Sequence, residues 1–116
     1  MKKIALLVAL LVFFAAVSTA YAHPPYDIKI TFDPNTKIVT ARIVHNVSNP
    51  LNHYIKKVDV GLNGKEIIEH NIFRQDNFDS LMVSYLVPDV KDGDVISVEG
   101  YCSISGKLQK EIVVKM

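Results

Sequence analysis

The stretch HYIKKVDVGLNGKEIIEHNI, residues 53–72, contains two segments in which apolar and polar side chains alternate. Alternation with a period of two is typical of β-strands that are buried on one face. Asn63-Gly64 joins the two segments and is the strongest hairpin signal in the chain, because this pair suits the positive φ angles of a two-residue turn. The stretch therefore predicts two neighbouring antiparallel strands.

The first of these segments also contains an irregularity. Ile55 is followed by Val58 and Val60, so the apolar positions change phase near Lys56-Lys57. A β-bulge adds one residue to a strand and produces such a change. We therefore expect a bulge just after His53, and bulges often lie beside functional sites.

Alternation and β-branched residues also dominate the rest of the chain after residue 25. We predict seven strands, at residues 26–33, 37–45, 53–62, 65–72, 79–87, 95–102 and 108–115. Turn-forming residues such as Pro34 and Gly93 separate them. Many short strands with frequent turns in a short chain are typical of sandwiches. The predicted fold is all-β, an immunoglobulin-like antiparallel β-sandwich of about seven strands.

The N-terminus has the pattern of a cleavable secretory signal at residues 1–22. Two lysines precede an almost wholly apolar run at residues 4–17, and Ala20-x-Ala22 fits a cleavage site. We expect cleavage to leave one domain, residues 23–116, that is exported to the periplasm or another extracytoplasmic space, away from the membrane. A retained membrane anchor is the alternative, although a spanning helix needs about 20 apolar residues.

Charge and cysteine content narrow the function of residues 23–116. Of the 13 Lys and Arg residues, Lys2 and Lys3 lie in the predicted signal, which leaves 11 against 12 Asp and Glu. This balance provides no basic surplus for binding nucleic acid. The single cysteine, Cys102, has no partner for a disulfide within the chain. It is a buried apolar residue, a free thiol, an intermolecular partner or a metal ligand.

Four potential metal ligands are predicted to lie at one end of the sandwich. If successive strands are antiparallel, the first and third strands start at this end, and the second and sixth strands finish there. His23, His45, His53 and Cys102 occupy these four places. Imidazole is a common ligand of iron, copper, nickel and zinc, and a thiolate adds a soft donor. The sequence therefore predicts a transition-metal site, which His70 near the end of the fourth strand approaches as a further candidate.

The same residues resemble the motifs of a known family. Three motifs are similar in order and spacing to those of the superoxide reductases, the neelaredoxin and desulfoferrodoxin iron domain. They are His23-Pro24-Pro25, His45 with His53-Tyr54-Ile55, and Cys102-Ser103-Ile104-Ser105-Gly106. The resemblance covers most of residues 23–116. It implies a mononuclear iron with the three histidines as equatorial ligands and Cys102 as the axial thiolate. It also implies that superoxide is the substrate and that an electron donor is a partner.

The chain departs from that family at several positions. Ser105 stands where the family has its fourth histidine ligand, and Asn46 replaces a proline. The spacing from His45 to His53 is two residues longer than usual, no lysine lies directly before His23, and no glutamate lies between residues 46 and 52. These differences remove one equatorial nitrogen and the charged groups that the family places near its open position.

Two other functions stay open at the level of the sequence. One is a periplasmic copper-binding carrier or sensor without turnover, because cleavage after Ala22 would give His23 an α-amino group able to chelate an ion together with its ring. Copper is the highest of the divalent metals in the order of affinity for such donors. The other is a structural sandwich that has lost a working site.

Overall fold

The computed structural model describes residues 23–116, and the predicted signal at 1–22 lies outside the described residues. Seven strands form the domain: β1 (Asp27–Asp33), β2 (Ile38–Val44), β3 (Ile55–Leu62), β4 (Lys65–Asn71), β5 (Ser80–Leu86), β6 (Val95–Cys102) and β7 (Lys107–Val113). Within the described part of the chain no helix is long and apolar enough to cross a membrane.

The strands form two antiparallel sheets. One sheet has the order β1-β2-β5 and the other the order β4-β3-β6-β7. Constant-type immunoglobulin domains also place the first, second and fifth strands in one sheet and the third, sixth and seventh in the other. In those domains, however, the fourth strand belongs to the sheet of the first, second and fifth strands. The predicted all-β sandwich is confirmed, with β4 extending the sheet of β3.

The core lies between the two sheets and is formed by alternate residues of the strands. In β2, Val39, Ala41 and Ile43 have no exposed surface, and they face Val58, Val98 and other buried residues of the second sheet. Burial of each Val or Ile side chain contributes about 1.5–3 kcal/mol. This core fixes the positions of the strand ends, where the candidate ligands lie.

The hairpin of residues 53–72 forms as predicted. Leu62 pairs with Lys65, so Asn63 and Gly64 are the two loop residues, with φ angles of 51° and 84°. Positive φ at both positions is the signature of a type I′ turn. The Asn63 side chain also bonds the start of β6, because its Oδ1 accepts from the backbone N–H of Val95 at 2.9 Å.

The predicted irregularity in β3 is present as a register shift against β6. The shift lies between Ile55, which pairs with Cys102, and Lys57, which pairs with Tyr101. Residues three positions apart in a regular strand point to opposite faces, but the shift allows both Ile55 and Val58 to face the core. The bulge thus lies beside the predicted ligand Cys102.

The third strand begins later than predicted. The prediction began it at residue 53, but His53 and Tyr54 precede β3. The backbone N–H groups of Asn52 and His53 both donate to the carbonyl oxygen of Asn49, at 3.3 and 2.9 Å, and therefore take no part in strand pairing. His53 is accordingly a loop residue held by a local turn.

Candidate metal centre

The structure brings the three predicted histidine ligands together at one end of the sandwich. His23 precedes β1, His45 directly follows β2, and His53 lies in the loop before β3. Their ring centroids are 4.8, 5.1 and 4.9 Å apart, so the rings form a nearly equilateral triangle. One nitrogen from each ring lies within 4.8 Å of the other two.

This spacing suits a single metal ion. An ion bound at about 2.1 Å to each nitrogen requires each ring to move by less than about 1 Å. Such an adjustment is small for His23 and His53, which lie at the surface of the site and on loops. The three histidines could therefore hold one ion, and the nitrogen donors alone do not specify which metal.

Cys102 is not one of the three residues whose ligand atoms lie within 4.8 Å of one another, but it is next to one of them, His53. Its Sγ is 3.2 Å from Nε2 of His53, and it is the last residue of β6. A nitrogen and a sulfur bound to one ion at about 2.1 and 2.3 Å are about 3.1 Å apart at a right angle. The observed distance fits two neighbouring ligands. Cys102 is also only 1% exposed, so the thiol is buried as well as adjacent to the cluster.

His45 forms the floor of the cluster and is held by a residue that the sequence did not identify. It has no exposed surface, and its backbone N–H donates to the carbonyl oxygen of Asp79 at 2.8 Å. Its Nδ1 lies 2.9 Å from Oε1 of Gln75, which is 3% exposed. Gln75 belongs to the polar stretch Arg74-Gln75-Asp76-Asn77, which carries no periodic signal, so only the structure reveals its contact with His45.

His23 is anchored although it precedes the first strand. Pro25 is buried, and the ring of His23 stacks on Tyr26 with centroids 5.1 Å apart. Pro24 packs against Gly106 so closely that a Cβ on Gly106 would lie 2.9 Å from the nitrogen of Pro24. The absence of a side chain at residue 106 therefore lets the segment carrying His23 lie against the β6–β7 turn.

The electrostatic environment favours neutral imidazoles. Burial lowers the pKa of His45, although the hydrogen bonds that the protonated ring could donate to Gln75 and to the His23 carbonyl oxygen oppose the shift. Burial also lowers the pKa of His53, and the neighbouring rings of His45 and His23 lower it further. A metal ion binds the neutral ring, so both shifts lower the energy needed to prepare the site.

An open cavity of about 400 Å³ reaches the cluster from solvent. It is lined by His23, Tyr26, Asn46, Val47, Ser48 and His53. The buried ring of His45 is not part of the lining, whereas His23 and His53 both border the cavity. The amide and hydroxyl groups of the lining are neutral hydrogen-bonding groups, and small molecules have access to the cluster along this side.

Two other positions considered from the sequence do not join the cluster. Nδ1 of His70 lies 2.7 Å from the hydroxyl of Tyr85, and the two rings meet edge to face with centroids 5.6 Å apart. His70 was expected to approach the site, and this expectation was wrong because β4 directs its ring across the sandwich edge to β5. Ser105 is exposed in the turn between β6 and β7.

Comparison with known proteins places the chain in no family. No family model matches it, and neither a curated protein nor a solved structure is significantly similar to it.

Proposed function

We propose that this protein binds one transition-metal ion through His23, His45 and His53, with Cys102 as a fourth donor, and acts as an exported redox domain of the superoxide reductase type. The observation that carries the proposal is the triangle of three imidazoles with a thiol 3.2 Å from one of them. Three nitrogens and one sulfur suit iron or copper, and a thiolate ligand is a strong electron donor.

The protein's own residues would perform distinct tasks in this function. His45 is the rigid ligand, since it is buried and bonded through both its ring and its backbone. His23 and His53 border the cavity and leave one side of the cluster accessible to a small molecule. With iron bound, the site would supply one-electron chemistry. Reduction of superoxide consumes one electron and two protons and gives hydrogen peroxide, and an external donor would return the electron.

A copper-binding carrier or sensor without turnover is the second candidate, and the donor count favours it. The sequence contains four histidines, and the one outside the cluster, His70, is bonded to Tyr85. The protein therefore offers three imidazoles and not the four of the superoxide reductases. Copper is bound well by fewer nitrogen donors with a thiolate, because Cu⁺ prefers soft thiolate ligands and Cu²⁺ is the highest of the divalent metals in affinity.

Metal content and the visible spectrum separate these functions. The protein is purified, loaded anaerobically with Fe²⁺ or with Cu⁺, and assayed for bound metal and for consumption of superoxide with an added reductant as the electron donor. A thiolate-to-iron charge-transfer band after oxidation, together with catalytic loss of superoxide, supports the reductase. One equivalent of tightly held copper without catalysis of superoxide loss supports the carrier. Failure to take up either metal at micromolar concentration eliminates both functions and leaves a structural sandwich.

A further inference from the structure

Gln75 is a buried glutamine whose amide has a single possible orientation. Its Nε2 lies 2.7 Å from the carbonyl oxygen of His45 and 3.1 Å from that of Asn77. Carbonyl oxygens only accept hydrogen bonds, so the amide nitrogen, and not the amide oxygen, must face them. Oε1 of Gln75 is consequently directed at Nδ1 of His45, 2.9 Å away.

This orientation determines which ring nitrogen of His45 carries hydrogen. The amide oxygen has no hydrogen to donate, so Nδ1 of His45 must be the donor. A neutral imidazole carries one ring hydrogen, which leaves a lone pair on Nε2. Nε2 lies on the side of the ring near His23, whose carbonyl oxygen is 3.4 Å away.

We propose that Gln75 is a positioning residue that holds His45 in the tautomer with its lone pair on Nε2, so that the ring is prepared to bind metal before an ion arrives. The consequence for metal binding rests on the proposed function, but the tautomer is a property of the protein alone. Without Gln75, the acceptor that residues 23–116 still place beside the ring is the carbonyl oxygen of His23, 3.4 Å from Nε2. The hydrogen would then move to Nε2, where it blocks the nitrogen that faces the cluster.

The loop that carries Gln75 is attached to the loop that carries the other ligand. The backbone N–H of Gln75 donates to the carbonyl oxygen of Pro50 at 3.2 Å, and the N–H of Val47 donates to that of Phe78 at 2.9 Å. These bonds join residues 72–79 to residues 46–54, the segment that ends beside His53. Gln75 therefore belongs to the same hydrogen-bonded unit as the candidate site. Partners that orient metal-binding histidines usually affect metal affinity by about 10–100-fold.

The test is a two-bond ¹H–¹⁵N correlation spectrum of the metal-free, ¹⁵N-labelled protein at a pH where the rings are neutral. The wild-type protein should show His45 with a protonated Nδ1 and an unprotonated Nε2. The Gln75→Met variant, which has a similar volume but no amide, should shift His45 toward the protonated Nε2. Its affinity for Zn²⁺, measured by calorimetry, should fall by about 10–100-fold. The signals of His70, which contacts Tyr85 and not Gln75, provide an internal reference.

Two further variants separate the tautomer from a loss of structure. Gln75→Glu keeps an acceptor for the ring hydrogen and should retain the wild-type tautomer even if its stability falls. Asn77→Ala removes the side-chain oxygen that accepts from the N–H groups of Asp79 and Ser80, and it leaves the amide of Gln75 in place. It should weaken the loop without changing the His45 signals.

The possible results are distinct. A protonated Nε2 on His45 in the wild-type protein overturns the inference, even if Gln75→Met does not fold. An unchanged His45 tautomer in folded Gln75→Met also overturns it, because another group would then hold the ring. If the tautomer depends on Gln75 but Zn²⁺, Fe²⁺ and Cu⁺ all fail to bind, the inference about His45 stands and the proposed function is wrong.

Discussion

Substitution of Gly106 by alanine tests whether the β6–β7 turn positions a metal ligand. A Cβ at residue 106 would lie 2.9, 3.0 and 3.1 Å from the nitrogen, Cα and Cβ of Pro24, whereas ordinary contact begins at 3.4 Å. Pro24 must therefore retreat by about 0.5 Å and carry the adjacent His23 with it. This displacement adds to the movement of up to about 1 Å that the His23 ring already needs to reach an ion shared with His45 and His53, and a formed site requires ligand distances within about 0.2 Å of their standard values. We expect the affinity for Zn²⁺ to fall by about 10–100-fold, as for other residues that support a ligand.

Gly93→Ala provides a matched control for backbone strain. Gly106 has a φ of 91° and Gly93 a φ of 85°, so alanine is strained at both positions, by about 1–3 kcal/mol. A Cβ on Gly93, however, meets no atom within 4 Å. Both variants should lower the melting temperature, by about 4–8 °C for each kcal/mol lost in a domain of this size. Only Gly106→Ala should weaken metal binding.

The measurement is calorimetric titration of each folded variant with Zn²⁺, together with its thermal unfolding without metal. Equal affinities in Gly106→Ala and the wild-type protein would refute the reasoning, because Pro24 would then not transmit the displacement to His23. An equal loss of affinity in Gly93→Ala would refute it as well, since general destabilisation would account for both results.

Three other predictions concern the thiol, the outlying histidine and pH. Cys102→Ser should keep about one bound metal ion per protein but lose the thiolate-to-iron band, and a band that persists would exclude Cys102 as a ligand. His70→Ala should leave metal stoichiometry unchanged and cost about 0.5–1.5 kcal/mol of stability through its lost bond to Tyr85; reduced metal uptake would contradict this assignment. Because the pKa values of His45 and His53 are lowered from 6.5, the unfolded state binds more protons below that pH. Denaturant titrations of the metal-free protein should show that the free energy of unfolding decreases as the pH falls from 6.5 toward the folded-state pKa values, and an increase over that range would contradict the burial of neutral rings.

The parts of the fold that local chemistry determines were predictable from the sequence. Asn63-Gly64 gave the hairpin because its two residues tolerate positive φ, and the apolar phase change in β3 gave the bulge. The meeting of His23, His45 and His53 followed from counting antiparallel strands, which places alternate strand ends at the same pole. These inferences needed no knowledge of how individual loops fold.

Loop conformation limited the prediction of the remaining details. His53 continues the alternation of β3, yet a turn at Asn49 takes its N–H out of the strand. The pattern also gave no reason to select Gln75, because its contact with His45 depends on the path of residues 72–79 and on their bond to Pro50. Such contacts arise from tertiary structure and have no periodic signature in the sequence.

The central claim, that three histidines form one metal site, is tested most directly by the stoichiometry of Zn²⁺ binding. Wild-type protein and the single variants His23→Ala, His45→Ala and His53→Ala are titrated under identical conditions, with His70→Ala as the control. We predict one saturable site in the wild-type protein, retained in the His70 variant and weakened in each of the other three. No saturable binding at micromolar Zn²⁺, or binding that survives removal of His45, would contradict the account.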